Sequence, residues 1–308
     1  MNRLTAVGTF LIVLAIGLQS SVAAEPARAK KALYIGIDGT RFDALTTAET
    51  PHLDSLIEQG IAADNCLILG ERYRKNDTVS GPGWSTILTG VWADKHGVQD
   101  NSFKGRNYDR YPHLFTLLKR QRPAAHTASF VTWMPIEDYI VRDADTHAGF
   151  HDDQRDYAKY DLQAAEAAAK HLSEPKLDCI FVYFGQVDES GHAHGFHPSV
   201  PQYVKAIETV DGHVGQLLAA LKARPTYAHE DWVTVVTSDH GGKGTGHGGG
   251  HRTPEILNSF LIVSGDSARR GRFTEQTYLV DAAATVLAHL GVQPAEQWEL
   301  DGEPRGLK

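Results

Sequence analysis

The sequence predicts an α/β fold, a largely parallel central sheet with helices on both faces. Three observations predict it. Five short runs rich in β-branched and aromatic residues, at 32–37, 128–133, 179–184, 232–237 and 259–264, are continuously apolar rather than alternating, as strands are in a sheet covered on both faces. Segments with helical spacing lie between them, so strands and helices alternate along the chain. The chain has 308 residues, 42% of them hydrophobic, which is enough for a full core in one large domain.

Taken in order, residues 1–24 read as a secretory signal peptide. Arg3 precedes an apolar run at 4–18, then Gln-Ser-Ser, then small residues before a cut expected after Ala24. The run is shorter than the ~20 residues a membrane span requires. No membrane anchor is expected after cleavage, and the mature protein is expected to be periplasmic or secreted. Residues 25–308 show no repeat, linker or composition shift and are expected to form a single domain. The clearest helix places Tyr203, Ile207, Val210, Val214, Leu217 and Leu221 on one face. Others are expected at 156–172 and at 278–290, where Gly291 is a natural stop. His213 is expected on the polar, solvated side of its helix.

After loss of residues 1–24 the chain carries 29 basic and 38 acidic side chains, a net charge of −9. This argues against nucleic acid or an anionic membrane as the main partner. The two cysteines, Cys66 and Cys179, sit in apolar strand-like runs and are expected to be buried free thiols.

Open α/β sheets gather function at the carboxyl ends of their strands. Here the run at 32–37 ends in Asp38, the run at 179–184 leads to Asp188 and His192, and the run at 232–237 leads to Asp239 and His240. Asp38 taken alone, in "IDGT", reads first as a turn residue. Of the 16 histidines, eight fall between His192 and His251, and three lie in or beside the glycine loop "SDHGGKGTGHGGGHRTPE", which holds seven glycines. Zinc takes imidazole nitrogen and carboxylate oxygen where no thiolate is available. Asp38, Asp188, His192, Asp239, His240 and one histidine of the glycine loop supply the ligands that two zinc ions need. His194 and His197 read as polar loop residues. The stretch "SGPGWSTILTGV" reads as a short helix entered through "SGPG", with Ser80 either a helix cap or a nucleophile in the helix N-terminal field. A GxSxG elbow is missing, which disfavours a Ser-His-Asp hydrolase.

The order of Asp38, "SGPG" from Ser80, "LTG", "KHG", "DESGHAHG" at 188–195 and "SDHGG" resembles the alkaline phosphatase superfamily, and within it the type I phosphodiesterase/nucleotide pyrophosphatase branch. The resemblance covers residue 32 to the late 260s. It implies that Ser80 is the nucleophile, where branch members commonly have threonine, and that Ser80 also meets the first zinc. It implies that Asp38, Asp239 and His240 bind that first zinc. Asp188, His192 and a further histidine would bind the second, with His247 preferred and His251 as the alternative. Asn101 would donate to a non-bridging phosphate oxygen, together with backbone amides near Gly81. The implied activity is hydrolysis of a small phosphate ester, a phosphodiester or nucleotide pyrophosphate, through a phospho-serine. Monoester phosphatase and sulfatase activities belong to the same superfamily. Sulfatases modify their nucleophile under a signal that includes an arginine four residues on, and Trp84 stands there. Trp84 reads as a core residue or as a platform for a base, and "ERYRK" at 71–75 as a possible source of cations. A metal-binding relative without turnover is the reading from another class, and an intact nucleophile argues against it.

Overall fold

Each expected apolar run forms a strand because its β-branched and aromatic side chains fill both faces of the pleat. The computed structural model describes residues 28–308, with Met1 and Leu4. The signal segment and its cut lie outside the described residues. The strands are β1 (Ala29–Ile37), β2 (Ile61–Leu67), β3 (His126–Val131), β4 (Thr146–Gly149), β5 (Leu177–Phe184), β6 (Glu230–Thr237), β7 (Asn258–Gly265) and β8 (Gly271–Arg272). The helices are α1 (Phe42–Leu45), α2 (Pro51–Gln59), α3 (Ser80–Thr89), α4 (Ala93–His96), α5 (Leu114–Gln121), α6 (Tyr157–Leu172), α7 (Gln186–His194), α8 (Pro201–Lys222), α9 (Pro254–Leu257) and α10 (Val280–His289).

The strands join in one sheet of order β4-β3-β5-β1-β6-β7-β2-β8. β1 pairs in parallel with both β5 and β6, whereas β7 runs antiparallel to β6 and to β2. The sheet is therefore mixed, with a parallel centre. Alternate residues of β1 face opposite layers. Ala32 and Tyr34 pack with α3, α5 and α10 through Trp84, Phe115 and Val286. Leu33, Ile35 and Ile37 pack with α2, α6 and α8 through Leu53, Ala165 and Val214. Cys66 and Cys179 are buried and free.

Two details differ from the expectations. His213 is buried on α8, its ring 5.7 Å from that of Phe184, because the neutral imidazole is flat and apolar enough to close the layer under β5. The "SGPG" stretch is not a lead-in but the first turn of α3. Pro82 is tolerated there because amides in the first turn have no intrahelical acceptor.

Candidate active site

Because β5, β1 and β6 are adjacent and parallel, their carboxyl ends open on one edge, and the residues just beyond them meet. The turn after β1 passes close to the start of α7. Gly39 has φ +62°, and a Cβ there would stand 2.4 Å from Asp188 Oδ1. α3 crosses the same edge and brings Ser80 to it.

The ligand candidates fall into two groups. Asp38, Asp239 and His240 form one; Asp188, His192 and His247 form the other. Within each, the ligand atoms lie within 4.8 Å of one another. Ser80 Oγ stands beside the first group, 3.2 Å from His240 Nε2 and 3.5 Å from Asp38 Oδ1. The rings of His240 and His247 stack at 3.7 Å, which brings the groups side by side.

The hydrogen bonds of the three histidines share one pattern. Nδ1 faces a backbone carbonyl in each: Thr245 O for His192, Gly241 O for His240 and Thr78 O for His247, all at 2.9 Å. A carbonyl only accepts, so each Nδ1 carries the proton and each Nε2 is free to ligate. His192 Nε2 and His247 Nε2 then face each other at 3.0 Å, which is stable only with a cation between them or a proton on one. Asp188 Oδ1 and Asp239 Oδ2 are buried without a hydrogen-bond partner among the described residues. Orphaned carboxylate oxygens and inward lone pairs are what a metal centre needs. The residues present fit metal ions.

The electrostatics agree. Burial, then the charge of Asp188, pushes the Asp38 carboxyl up to about 6. Burial and the charges of Asp38 and Asp188 push Asp239 well above the ordinary range. Burial would also raise Asp188, but the His192 hydrogen bond and the charge of His240 hold it low. His192 is raised to about 9, chiefly by its bond to Asp188. Burial, then His240, holds His247 down to about 3. Packed carboxylates that resist sharing one negative region are relieved by a cation.

Several side chains around the groups make contacts that fix what each is free to do. Trp84 is wholly buried, and its Nε1–H donates to Asp38 Oδ2 at 2.7 Å, so it is no base platform. Tyr183 OH donates to the same oxygen at 2.6 Å, a contact that strand periodicity alone does not reveal. Asn101 Oδ1 accepts from Gly81 N–H at 2.6 Å, which takes that amide away from any phosphate. Arg72 pairs with Asp94 and Asp301, and Arg74 bonds Gly70 O, so neither cation serves the site. His251 stands outside both groups, with Nε2 on Asn76 O at 2.8 Å.

The groups open into a cleft of about 390 Å³, lined among others by Ser80, Asn101, Trp133, Arg155 and Tyr157. That volume suits a small molecule. Among the described residues, no helix is long and apolar enough to cross a membrane.

Known proteins resemble this chain in family and in fold. The family described as type I phosphodiesterase / nucleotide pyrophosphatase matches residues 32–293. Ectonucleotide pyrophosphatase/phosphodiesterase family member 7 of Rattus norvegicus is 26% identical over 234 residues, covering 68% of this chain and 49% of the relative. The human bis(5'-adenosyl)-triphosphatase ENPP4 is 24% identical over 235 residues, covering 68% and 47%. The chain thus spans about half the length of these curated relatives. An inactive threonine-to-alanine variant of murine ectonucleotide pyrophosphatase / phosphodiesterase 5, solved with AMP, shares the fold with a TM-score of 0.65 at 15% identity, covering 86% of this chain and 96% of that one. A 2-O GAG sulfatase shares it too, with a TM-score of 0.65 at 15% identity, covering 91% and 76%. Sheet, ligand groups and family match coincide over the same span: the chain belongs to the type I phosphodiesterase / nucleotide pyrophosphatase family.

Proposed function

We propose that the protein is a two-zinc hydrolase of phosphodiesters or nucleotide pyrophosphates, acting through a covalent phospho-serine at Ser80 after export to the periplasm or exterior. The observation that carries the reading is the Ser80 hydroxyl, 3.2 Å from His240 Nε2, beside two ligand groups with orphaned carboxylate oxygens. Asp38, Asp239 and His240 would hold one zinc and Asp188, His192 and His247 the other. When bound, the ions supply Lewis acidity, lowering the pKa of the Ser80 hydroxyl and offsetting charge on the leaving oxygen.

The remaining steps belong to the chain. Ser80 gives up its proton to solvent, and its oxygen bonds phosphorus in line as the bond to the leaving oxygen breaks. Water then cleaves the seryl phosphate and restores the hydroxyl. The N-terminus of α3 places partial positive charge beside the phosphoryl group. Asn101, its Oδ1 fixed by Gly81, has Nδ2–H left to donate to a non-bridging oxygen.

A diester fits better than a monoester. A monoester brings one more negative charge and calls for more cations. Arg155 is the only arginine or lysine lining the cleft among the described residues, and it lies 3.9 Å from Glu189. The names of the relatives and the AMP complex of the murine protein support a nucleotide substrate. The test is elemental analysis together with turnover of paired aryl phosphate mono- and diesters by the parent and Ser80→Ala. We expect about two zinc ions per chain in both proteins, preference for the diester, and a loss on the order of 10³ or more in rate for the variant. A zinc-free parent that chelators leave fully active, or a variant at parental speed, refutes the reading.

A further inference from the structure

The segment that delivers the nucleophile and the loop that delivers His247 are tied together. Thr78 Oγ1 donates to His247 O at 2.5 Å and accepts from Gly250 N–H at 2.8 Å. Thr78 O accepts the Nδ1–H of His247 at 2.9 Å. On either side, Asp77 Oδ1 accepts from Gly249 N–H at 2.6 Å, and His251 Nε2 donates to Asn76 O at 2.8 Å. Residues 76–78 are thereby laced to residues 247–251, and Ser80 follows after Val79 alone.

The Thr78 hydroxyl occupies a particular place. The carbonyl of residue 247 and the amide of residue 250 are the pair that a four-residue turn closes on itself. Here the hydroxyl stands between them and satisfies both. Gly249, with φ +66°, supplies the left-handed third position. A loop this rich in glycine is costly to order and cannot place an imidazole by its own stiffness. It needs an external tether, and Thr78, only 1% exposed, is a dry one.

We infer that Thr78 is a positioning residue of this site: its hydroxyl closes the 247–250 turn onto the nucleophile's own segment, so that His247 Nε2 and Ser80 Oγ are placed as one unit. The inference rests on the two-group metal site proposed above. With Oγ1 committed as both donor and acceptor, Thr78 is also no substitute nucleophile. Removing the hydroxyl leaves His247 O and Gly250 N–H without partners and frees the turn to move the imidazole.

The test is zinc competition against a chelator of known affinity, on the full chain and its Thr78→Val and Thr78→Ser variants, with kcat and KM on an aryl phosphodiester. Thr78→Val should weaken one of two zinc sites by 10- to 100-fold, the usual range for losing a group that orients a ligand. The other site should stay within about threefold. kcat at saturating zinc should fall at least about tenfold, with KM within about threefold, since the hydroxyl does not touch substrate. Thr78→Ser should restore both zinc sites to within about threefold. Parental zinc affinities in the valine variant, or no recovery in the serine variant, overturn the inference. Should the valine variant fail to fold, Asp77→Ala decides: it removes the contacts of Asp77 Oδ1 with Gly249 N–H and Thr78 N–H and leaves the Thr78 hydroxyl in place, and it must weaken a single zinc site; unchanged affinity overturns the inference. A parent that binds no zinc removes the two-group reading itself. A parent and Thr78→Val that both bind two zinc ions equally well remove this inference alone.

Discussion

Asp38 uses both of its oxygens. Trp84 Nε1 and Tyr183 OH hold Oδ2, which turns Oδ1 toward Ser80 and His240. The three histidines are oriented by the same logic, with one ring nitrogen held by backbone and the other presented. His247 and His251 therefore differ in kind, though both stand in the same glycine loop. His247→Ala removes an inward Nε2 and leaves Asp188 and His192 alone, so it should lose about one zinc per chain and nearly all turnover. His251→Ala removes a bond to Asn76 O at the edge of the lacing and should keep both zinc ions with at most a modest loss of rate. Metal counts on the two purified variants check this, and a reversed pattern moves the ligand to His251.

At the scale of elements, the apolar strands were legible because continuous hydrophobicity marks a strand buried on both faces. β2 escaped because exposed Asp64 and Asn65 interrupt it, and β4 and β8 because they are four and two residues long. The antiparallel direction of β7 was not legible, since hydrophobicity carries no strand direction. The acids and histidines at the strand ends were legible as a set, because their positions follow strand boundaries. The donors to Asp38 and the capture of Gly81 N–H by Asn101 join residues 20 to 145 positions apart, and no local spacing encodes them. One such contact couples β1 to α3. A Cβ on Gly36 would lie 2.3 Å from the buried ring of Trp84, two residues before Asp38. Gly36→Ala should cost about 1–3 kcal/mol by overpacking and displace the indole that steadies Asp38. A lower urea midpoint together with weaker zinc binding is the expected result. An unchanged midpoint refutes the packing of Trp84 against β1.

At the scale of the molecule, the layer of α3, α5 and α10 is sealed by imidazoles that must stay neutral. His113 caps α5, accepting from Phe115 N–H at 3.0 Å through Nδ1. His96 accepts from Val98 N–H at 3.1 Å through Nδ1, with Nε2 3.0 Å from Thr86 Oγ1. Both are wholly buried, and burial holds both down to about 3. In the unfolded chain the same groups titrate near about 6.5. Between these values the unfolded state binds more protons, so stability rises with pH there. The contribution of each histidine is therefore complete above about 6.5 and is lost as pH falls toward 3, with a limiting slope of about 1.4 kcal/mol per pH unit for each. His113→Asn separates this effect from acid loss of metal. Asparagine is a good helix N-cap and does not titrate near neutrality. In chelating buffer, urea midpoints from pH 7.5 to 5 should fall less steeply for the variant than for the parent, by up to one proton. Parallel curves would mean that His113 takes up its proton without unfolding, and that the acid limit of the fold lies elsewhere.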